Sequence, residues 1–207
     1  LQFGAGAVHF SKFFIDCEQA TLHCFPPTEL LPSYLFCWIA GDYLELNCPN
    51  PYRGMSMNIF CTPRMAGRVE KHSVFMWELT VAIIEFYENL FGCPYPFKKY
   101  EFALVETFRV LGMEHPGLVT INSVQFFGER AVGKLMFKIA QTLSHEIAHS
   151  WFGNLTTMKW WDDLWLKESF ADFVSFICLE RIQKKITSYR YAPSMLEFFD
   201  RKAWGYK

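Results

Sequence analysis

The sequence lacks the features that mark several classes of protein. Its apolar runs, such as residues 35–40 and 173–179, are far shorter than the roughly 20 residues that a membrane-spanning helix needs. Its basic residues do not cluster, and the formal net charge is −1. Internal repeats and low-complexity tracts are also missing. We therefore expect a globular protein with no nucleic-acid partner and no membrane span in this segment.

The start of the chain lacks a methionine and a signal peptide, since no basic segment precedes an apolar core. We therefore expect a fragment of a longer protein. The seven cysteines form no CxxC pair. Cys17 and Cys24 could form a disulfide, but scattered thiols are more often reduced core residues of cytosolic proteins. This favours a cytoplasmic location, while the sequence indicates no oligomeric state.

Apolar residues are abundant and predict a real core. They make up 51% of the chain, which includes 22 phenylalanines and 7 tryptophans. Hydrophobic periodicity predicts helices at residues 69–91, 132–152 and 168–184, and strands at 34–40, 43–48, 56–61, 100–106 and 118–121. The segment 47–54 contains two prolines, two asparagines and a glycine, which predicts a loop and a domain boundary.

The helix predicted at residues 132–152 has one polar face. Its polar residues recur at intervals of three and four, so they line up along the helix; they are Lys134, Lys138, Gln141, His145 and His149. We expect this face to meet solvent at one end and a cleft at the other.

The two histidines of this face belong to an HExxH motif, His145-Glu-Ile-Ala-His149. Four residues advance a helix by about 400°, so both imidazoles project from one side, about 6 Å apart along the axis. This arrangement suits two bonds to one zinc ion, and Glu146 would then reach a water rather than the metal. The alternative is a chance match, which is uncommon for three fixed positions.

A catalytic zinc needs a third protein ligand and one open position. Glu168 follows His149 after eighteen residues, at the start of the next predicted helix. Alone, a glutamate in a first helical turn is better explained by the helix dipole. Joined to the HExxH motif at this spacing, it is better explained as the third ligand.

These motifs resemble those of the aminopeptidase N family of zinc peptidases. The resemblance rests on HExxH-x(18)-E, on the run Trp160-Trp-Asp-Asp-Leu-Trp-Leu-Lys-Glu-Ser-Phe-Ala, and on Leu111-Gly-Met-Glu-His115, which is similar to that family's GxMEN motif. It extends from about residue 25 to the last residue. It implies one zinc per chain, held by His145, His149 and Glu168, with Glu146 as general base, and peptides with a free N-terminus as substrates.

The GxMEN resemblance implies a substrate-binding role for Gly112, Met113 and Glu114, with Glu114 holding the free α-amino group. A carboxylate suits an ammonium, and an extended edge can pair with a peptide main chain. Alone, Glu114 would be better explained as a surface carboxylate. Leu111 and His115 depart from the family pattern, where glycine and asparagine are usual.

The resemblance also implies a fold. It is α+β, with the remnant of an N-terminal β-sandwich at residues 1–50 and a thermolysin-like catalytic domain at residues 51–207, truncated before its helical end. The family's oxyanion-stabilising tyrosine would lie beyond Lys207, and we assign that role to none of Tyr189, Tyr191 or Tyr206. We therefore expect this piece alone to be weakly active or inactive.

A histidine that binds zinc usually donates its other ring nitrogen to an oxygen. Asp172 lies four residues after Glu168 on the same helix face and is a candidate acceptor, although a solvated aspartate is about as plausible. Three other functions stay open. They are an epoxide hydrolase and aminopeptidase of the leukotriene hydrolase type, a catalytically silent zinc-binding chain that binds peptides, and a zinc endopeptidase, which would leave Glu114 without a purpose.

Overall fold

The structure is a computed structural model, and it describes residues 2–6, 28, 30–127, 132–182 and 186. Strand β1 (Gln2–Gly6) pairs antiparallel with β2 (Cys37–Gly41) in a two-stranded ribbon. The predicted strand 34–40 is only partly correct, because a single 3-10 turn at Ser33–Leu35, directly after Pro32, precedes β2. Cys17 and Cys24 lie outside the described residues.

A second sheet has five strands and positions the site. These are β3 (Leu44–Asn47), β4 (Asn58–Cys61), β5 (Glu101–Val105), β6 (Gly112–Met113) and β7 (Leu118–Asn122), in the spatial order β3-β4-β5-β7-β6. The pairs β4–β5 and β5–β7 are parallel, whereas β3 and the short edge strand β6 are antiparallel to their neighbours. The sheet is therefore mixed, and β6 forms one of its edges among the described residues.

The central strands are apolar because both of their faces are covered. Ile59, Phe102 and Val119 point toward the helices and join the main core. The intervening side chains point to the other face, where they pack with Ile39 of β2 in a smaller cluster; they are Phe60, Ala103 and Leu118. The alternation along each strand thus builds two cores from one sheet.

Helix α1 (Ala66–Phe91) connects β4 to β5 and packs on the sheet. It begins three residues before the predicted start, and it ends as predicted because Gly92 adopts the left-handed conformation. The Tyr87 hydroxyl lies in the core between α1 and the next long helix, 3.0 Å from the Ser144 carbonyl oxygen and 2.9 Å from the Ser144 hydroxyl.

Among the described residues, three further α-helices follow β7. They are the short α2 (Ser123–Phe126), then α3 (Val132–Ala148) and α4 (Leu164–Ile182). The predicted end of α3 at Phe152 is wrong, because the chain turns after Ala148. The placement of Glu168 in the first turn of its helix is also wrong, since α4 begins at Leu164 and the residue lies one turn later.

The α+β class is confirmed. The β-sandwich remnant is not shown, and the domain division at residue 50 stays a prediction; β3, before that residue, pairs with β4, after it. Among the described residues, no helix has the length and apolarity to cross a membrane. The five described cysteines are free thiols, and Cys61 and Cys178 are buried.

Candidate metal centre

The polar face of α3 passes from solvent into the protein interior. Lys134 is exposed, whereas Lys138 and Gln141 are half-buried. His145 retains 18% of its side-chain exposure and His149 only 1%. The prediction of a face that meets solvent at one end and a cleft at the other agrees with this gradient.

The turn after α3 fixes the ring of His149. Gly153 has a φ of +133°, a conformation that L side chains rarely adopt, and a Cβ there would lie 3.1 Å from His149 Nδ1. The turn brings the Phe152 carbonyl oxygen to 3.0 Å from that same Nδ1. When Nδ1–H donates to this carbonyl, the other ring nitrogen presents a lone pair to the cavity.

Helix α4 packs beside α3 and brings Glu168 to the two histidines. The Nε2 atoms of His145 and His149 are 3.1 Å apart. Glu168 Oε2 lies 3.4 Å from His145 Nε2 and 3.5 Å from His149 Nε2. The three residues form a cluster that could hold a metal ion.

These separations fit the coordination geometry of zinc. An ideal tetrahedral zinc ion with bonds of about 2.0–2.2 Å separates its ligand atoms by about 3.3–3.6 Å. The two Glu168 distances lie in this range, and the 3.1 Å between the histidine nitrogens corresponds to a slightly narrower angle at the metal. Two imidazole nitrogens and one carboxylate oxygen are also a ligand set typical of catalytic zinc. The residues present therefore fit the metal in both spacing and chemistry.

The cluster attracts positive charge. His145 Nδ1 lies 2.9 Å from Asp172 Oδ1, so the predicted pair is brought together. Burial lowers the pKa of His145, but hydrogen bonds with Asp172 and Glu168 outweigh it and raise that pKa to about 10. Hydrogen bonds with His145 and His149 hold the pKa of Glu168 far below its ordinary value. Without a metal, a proton supplies the cation that these carboxylates favour.

Glu146 lies beside the cluster and is 5% exposed. Burial raises the pKa of Glu146 to about 7, although His145 and His149 oppose the shift. The backbone of Gly112 in β6 closes over its carboxylate, because a Cβ at Gly112 would stand 2.0 Å from Glu146 Oε1. Only glycine fits at this position while Glu146 keeps its place.

Glu114 follows β6 and is buried, with 4% of its surface exposed. Burial raises its pKa, but the charges of His149 and Lys167 prevail and hold the pKa of Glu114 below its ordinary value. The Asn154 side-chain amide donates to the Glu114 backbone carbonyl over 2.8 Å. The turn after α3 is thereby tied to the segment that directly follows β6.

Two residues in this region have roles that the sequence did not reveal. The role of Asn154 has no sequence signal, because its partner is a backbone atom forty residues away. Lys167 was not singled out at all; its ammonium contacts the carboxylates of both Glu114 and Glu168. The available signal was a lysine within an apolar stretch, because a lysine is rarely buried unless it is paired. In the structure Lys167 is 4% exposed.

The departure at position 115 is accommodated within the fold. His115 is buried, and its Nδ1 lies 3.2 Å from the Thr120 hydroxyl. Burial lowers the pKa of His115 to about 4, so the ring is neutral at pH 7. Leu111 packs partly against the main core, and its carbonyl oxygen accepts a hydrogen bond from the Asn122 backbone over 2.9 Å.

A cavity of about 380 Å³ brings the predicted site together. Its lining includes all eight residues singled out from the sequence: Gly112, Met113, Glu114, His145, Glu146, His149, Glu168 and Asp172. A second cavity, of about 550 Å³, lies near Tyr52 and Glu88. Glu88 is engaged there by Tyr52, Arg53 and the Tyr95 backbone, which explains it as a structural ion-pair cluster.

Comparisons with known proteins identify the family of this chain. Residues 75–202 match the family model described as the peptidase family M1 domain. Aminopeptidase N of Streptomyces lividans is 33% identical over 186 residues, which are 88% of this chain and 21% of that protein. Aminopeptidase N of Lactococcus lactis subsp. lactis is 34% identical over 86% of this chain and 21% of its own.

Endoplasmic reticulum aminopeptidase 1 of Homo sapiens is 33% identical over 155 residues, or 74% of this chain and 16% of that protein. The chain thus spans about a fifth or less of the length of these relatives. The family model covers more than half of the chain and includes the HExxH motif and Glu168. The chain therefore belongs to peptidase family M1, the aminopeptidase N family.

Proposed function

We propose that this chain carries the site of a zinc-dependent aminopeptidase, which removes N-terminal residues from peptides. One observation carries the proposal: a single cavity holds both the three-residue cluster with Glu146 and the carboxylate of Glu114. His145, His149 and Glu168 would hold one zinc ion per chain. The relatives named as aminopeptidases support the same activity.

Glu146 is the proposed general base. Zinc, when bound, would supply Lewis acidity that acidifies water and polarises a carbonyl group. The Glu146 carboxylate would accept the proton of the attacking water and pass it to the nitrogen of the leaving amine. Burial raises the pKa of Glu146, so its carboxylate is a stronger base than an exposed one and suits the acceptance of that proton.

Glu114 is the proposed anchor for the substrate's α-amino group. Its carboxylate lines the cavity that also contains the cluster, and it follows directly on β6. Because β6 is an edge strand, its backbone can pair with an extended peptide, and Glu114 then meets the end of that peptide. This arrangement supports removal of single residues from a free N-terminus.

The other candidate functions have less support from the described residues. A silent peptide-binding chain would not need a buried carboxylate in the position of Glu146. An endopeptidase would leave the buried Glu114 carboxylate in the cavity without a ligand. Nothing in the cavity favours epoxide chemistry over peptide hydrolysis.

A comparison of free and blocked substrates tests the proposal. We expect leucine 4-nitroanilide to be cleaved faster than N-acetyl-leucine 4-nitroanilide. Glu114→Gln should reduce kcat/KM for the free substrate by about 10- to 100-fold, because a hydrogen bond to a charged group contributes about 1.5–3 kcal/mol. The blocked substrate should respond little. Equal rates for both substrates in the unaltered protein would contradict an aminopeptidase.

Gly112→Ala tests the close approach of β6 to Glu146. The new Cβ would displace the Glu146 carboxylate, and a misplacement of about 1 Å lowers turnover by about 100-fold. Gly67→Ala on α1 is the matched control, because a Cβ there meets no atom within 4 Å. The control should keep the activity and gain up to about 1 kcal/mol of stability. Full activity of Gly112→Ala would show that Glu146 does not act from its observed position.

A further inference from the structure

Lys167 is a buried cation that contacts two carboxylates of the cavity lining, those of Glu114 and Glu168. Its side chain is 5% exposed, and its Nζ contacts Glu114 Oε1 and, at 2.9 Å, Glu168 Oε1. The Tyr34 ring covers the same Nζ, with its centroid 5.3 Å away. Trp161 packs against Tyr34 at a centroid distance of 5.3 Å. The ammonium is therefore held by two carboxylates and one aromatic face.

The ammonium of Lys167 is chemically equivalent to the group that Glu114 is proposed to bind. Both a lysine Nζ and a peptide α-amine are ammonium groups with three N–H donors at neutral pH. Both need a carboxylate oxygen when they are removed from water. A substrate bound to Glu114 would thus place a second ammonium beside that of Lys167, and two close like charges repel each other.

We propose that Lys167 is an internal occupant of the amine-binding position and thereby determines how strongly the site selects free N-termini. This rests on the proposed role of Glu114. In the unliganded protein, Lys167 neutralises a buried carboxylate that would otherwise be unpaired. When a substrate binds, its α-ammonium forms a hydrogen bond with the Glu114 carboxylate, and Lys167 keeps its contact with Glu168. The lysine therefore weakens amine binding relative to a neutral side chain.

The second contact of Lys167 makes this exchange feasible. Glu168 Oε1 accepts from Lys167, while Glu168 Oε2 faces the two histidines. If the substrate takes Glu114, the lysine still has one carboxylate partner and the Tyr34 ring. It does not become an unpaired buried charge, which would be strongly unfavourable.

Ligand binding measured by calorimetry tests the inference without requiring turnover. The probes are L-leucinamide and N-acetyl-L-leucinamide at pH 7, where an α-amine with a pKa of about 7.7–8.0 is mostly protonated. Lys167→Met should bind leucinamide about tenfold more tightly or better, because the neighbouring like charge is gone. Binding of the acetylated probe should not change. Lys167→Arg, which keeps the charge, should resemble the unaltered protein.

Lys99→Met is the matched control, because Lys99 pairs at 2.7 Å with Glu101, a carboxylate that does not line the cavity, whereas both carboxylate partners of Lys167 do. It should bind both probes as the unaltered protein does. If the unaltered protein prefers leucinamide but Lys167→Met binds it equally or more weakly, the inference about Lys167 is overturned while the role of Glu114 stands. If neither protein distinguishes the two probes, both ideas are overturned.

A measurement on the unaltered protein covers the case in which Lys167→Met does not fold. In a sample with labelled lysine side chains, leucinamide should shift the Lys167 resonance, whereas N-acetyl-leucinamide should not. Lys167→Gln, which keeps a polar group without the charge, supplies both the assignment and a second binding measurement. If saturating leucinamide left the chemical shift of Lys167 unchanged, the inference would be overturned.

Discussion

His149→Ala is expected to lower the zinc content of the purified protein from about one equivalent per chain to nearly none. The substitution removes one of three ligand atoms from a cluster whose members lie 3.1–3.5 Å apart. The remaining pair, His145 and Glu168, cannot complete the three-ligand set of a catalytic zinc. Metal analysis after dialysis against a weak chelator measures this loss directly.

The control for this experiment is His72→Ala. His72 is half-buried on α1 and stacks on Phe127, away from the residues that line the cavity. That variant should keep its zinc, and circular dichroism should show that both variants fold. If His149→Ala retained a full equivalent of zinc, the ligand assignment of His145, His149 and Glu168 would be wrong.

Glu146→Gln is expected to keep zinc and to lose most of the turnover. The amide has the shape of the carboxylate but cannot accept the proton of water, and general base catalysis contributes about 10²- to 10⁴-fold to the rate. Hydrolysis of leucine 4-nitroanilide measures the loss in kcat, and metal analysis measures the retained zinc. The two readouts separate this variant from His149→Ala, which should lose both.

A comparison with Gly112→Ala completes the test of Glu146. Both substitutions should act on the same step, since one removes the carboxylate's basicity and the other its position. The double variant should therefore be about as slow as Glu146→Gln alone, because groups that act as a unit are not additive. Turnover by Glu146→Gln close to that of the unaltered protein would assign the base to another residue.

The local parts of the site could be predicted from the sequence because helix geometry fixes them. The four-residue spacing of His145 and His149 places both rings on one side of α3. The same spacing between Glu168 and Asp172 places two carboxylates on one face of α4, and the His145–Asp172 pair follows. Such relations depend on residues within one or two turns, so a pattern alone is enough.

The features of the site and fold that the sequence did not predict depend on tertiary contacts. No local pattern pairs Lys167 with Glu114, because Glu114 follows β6, fifty-three residues earlier in the chain. The sequence predicts that helix α4 begins at Glu168, whereas it begins at Leu164. Trp165 and Leu166 in its first turn are apolar but exposed, so their positions do not mark a buried helix face. The extra residues at the start of α1 include Gly67, which disfavours a helix when judged by propensity alone.

The fold as a whole lies between these cases. Alternation along β4, β5 and β7 and the apolar surface of α1 predicted the elements within a few residues. The strand order was not predicted, because β6 precedes β7 in the chain but lies beyond it at the sheet edge, while β5 and β7 pair in parallel. Long-range pairing of this kind leaves no local signal beyond the apolar pattern.

The rings of His145 and His149 differ in how a mutation can alter their orientation. The ring of His145 is oriented by a contact with the Asp172 side chain, which a single substitution removes. The ring of His149 is oriented by the main-chain carbonyl of Phe152, which any residue at that position would also supply. Descendants of this gene can therefore drift in the orientation of the first imidazole far more readily than in that of the second. A change at Gly153, whose φ of +133° shapes the turn, would alter the position of that carbonyl and so the orientation of the second ring.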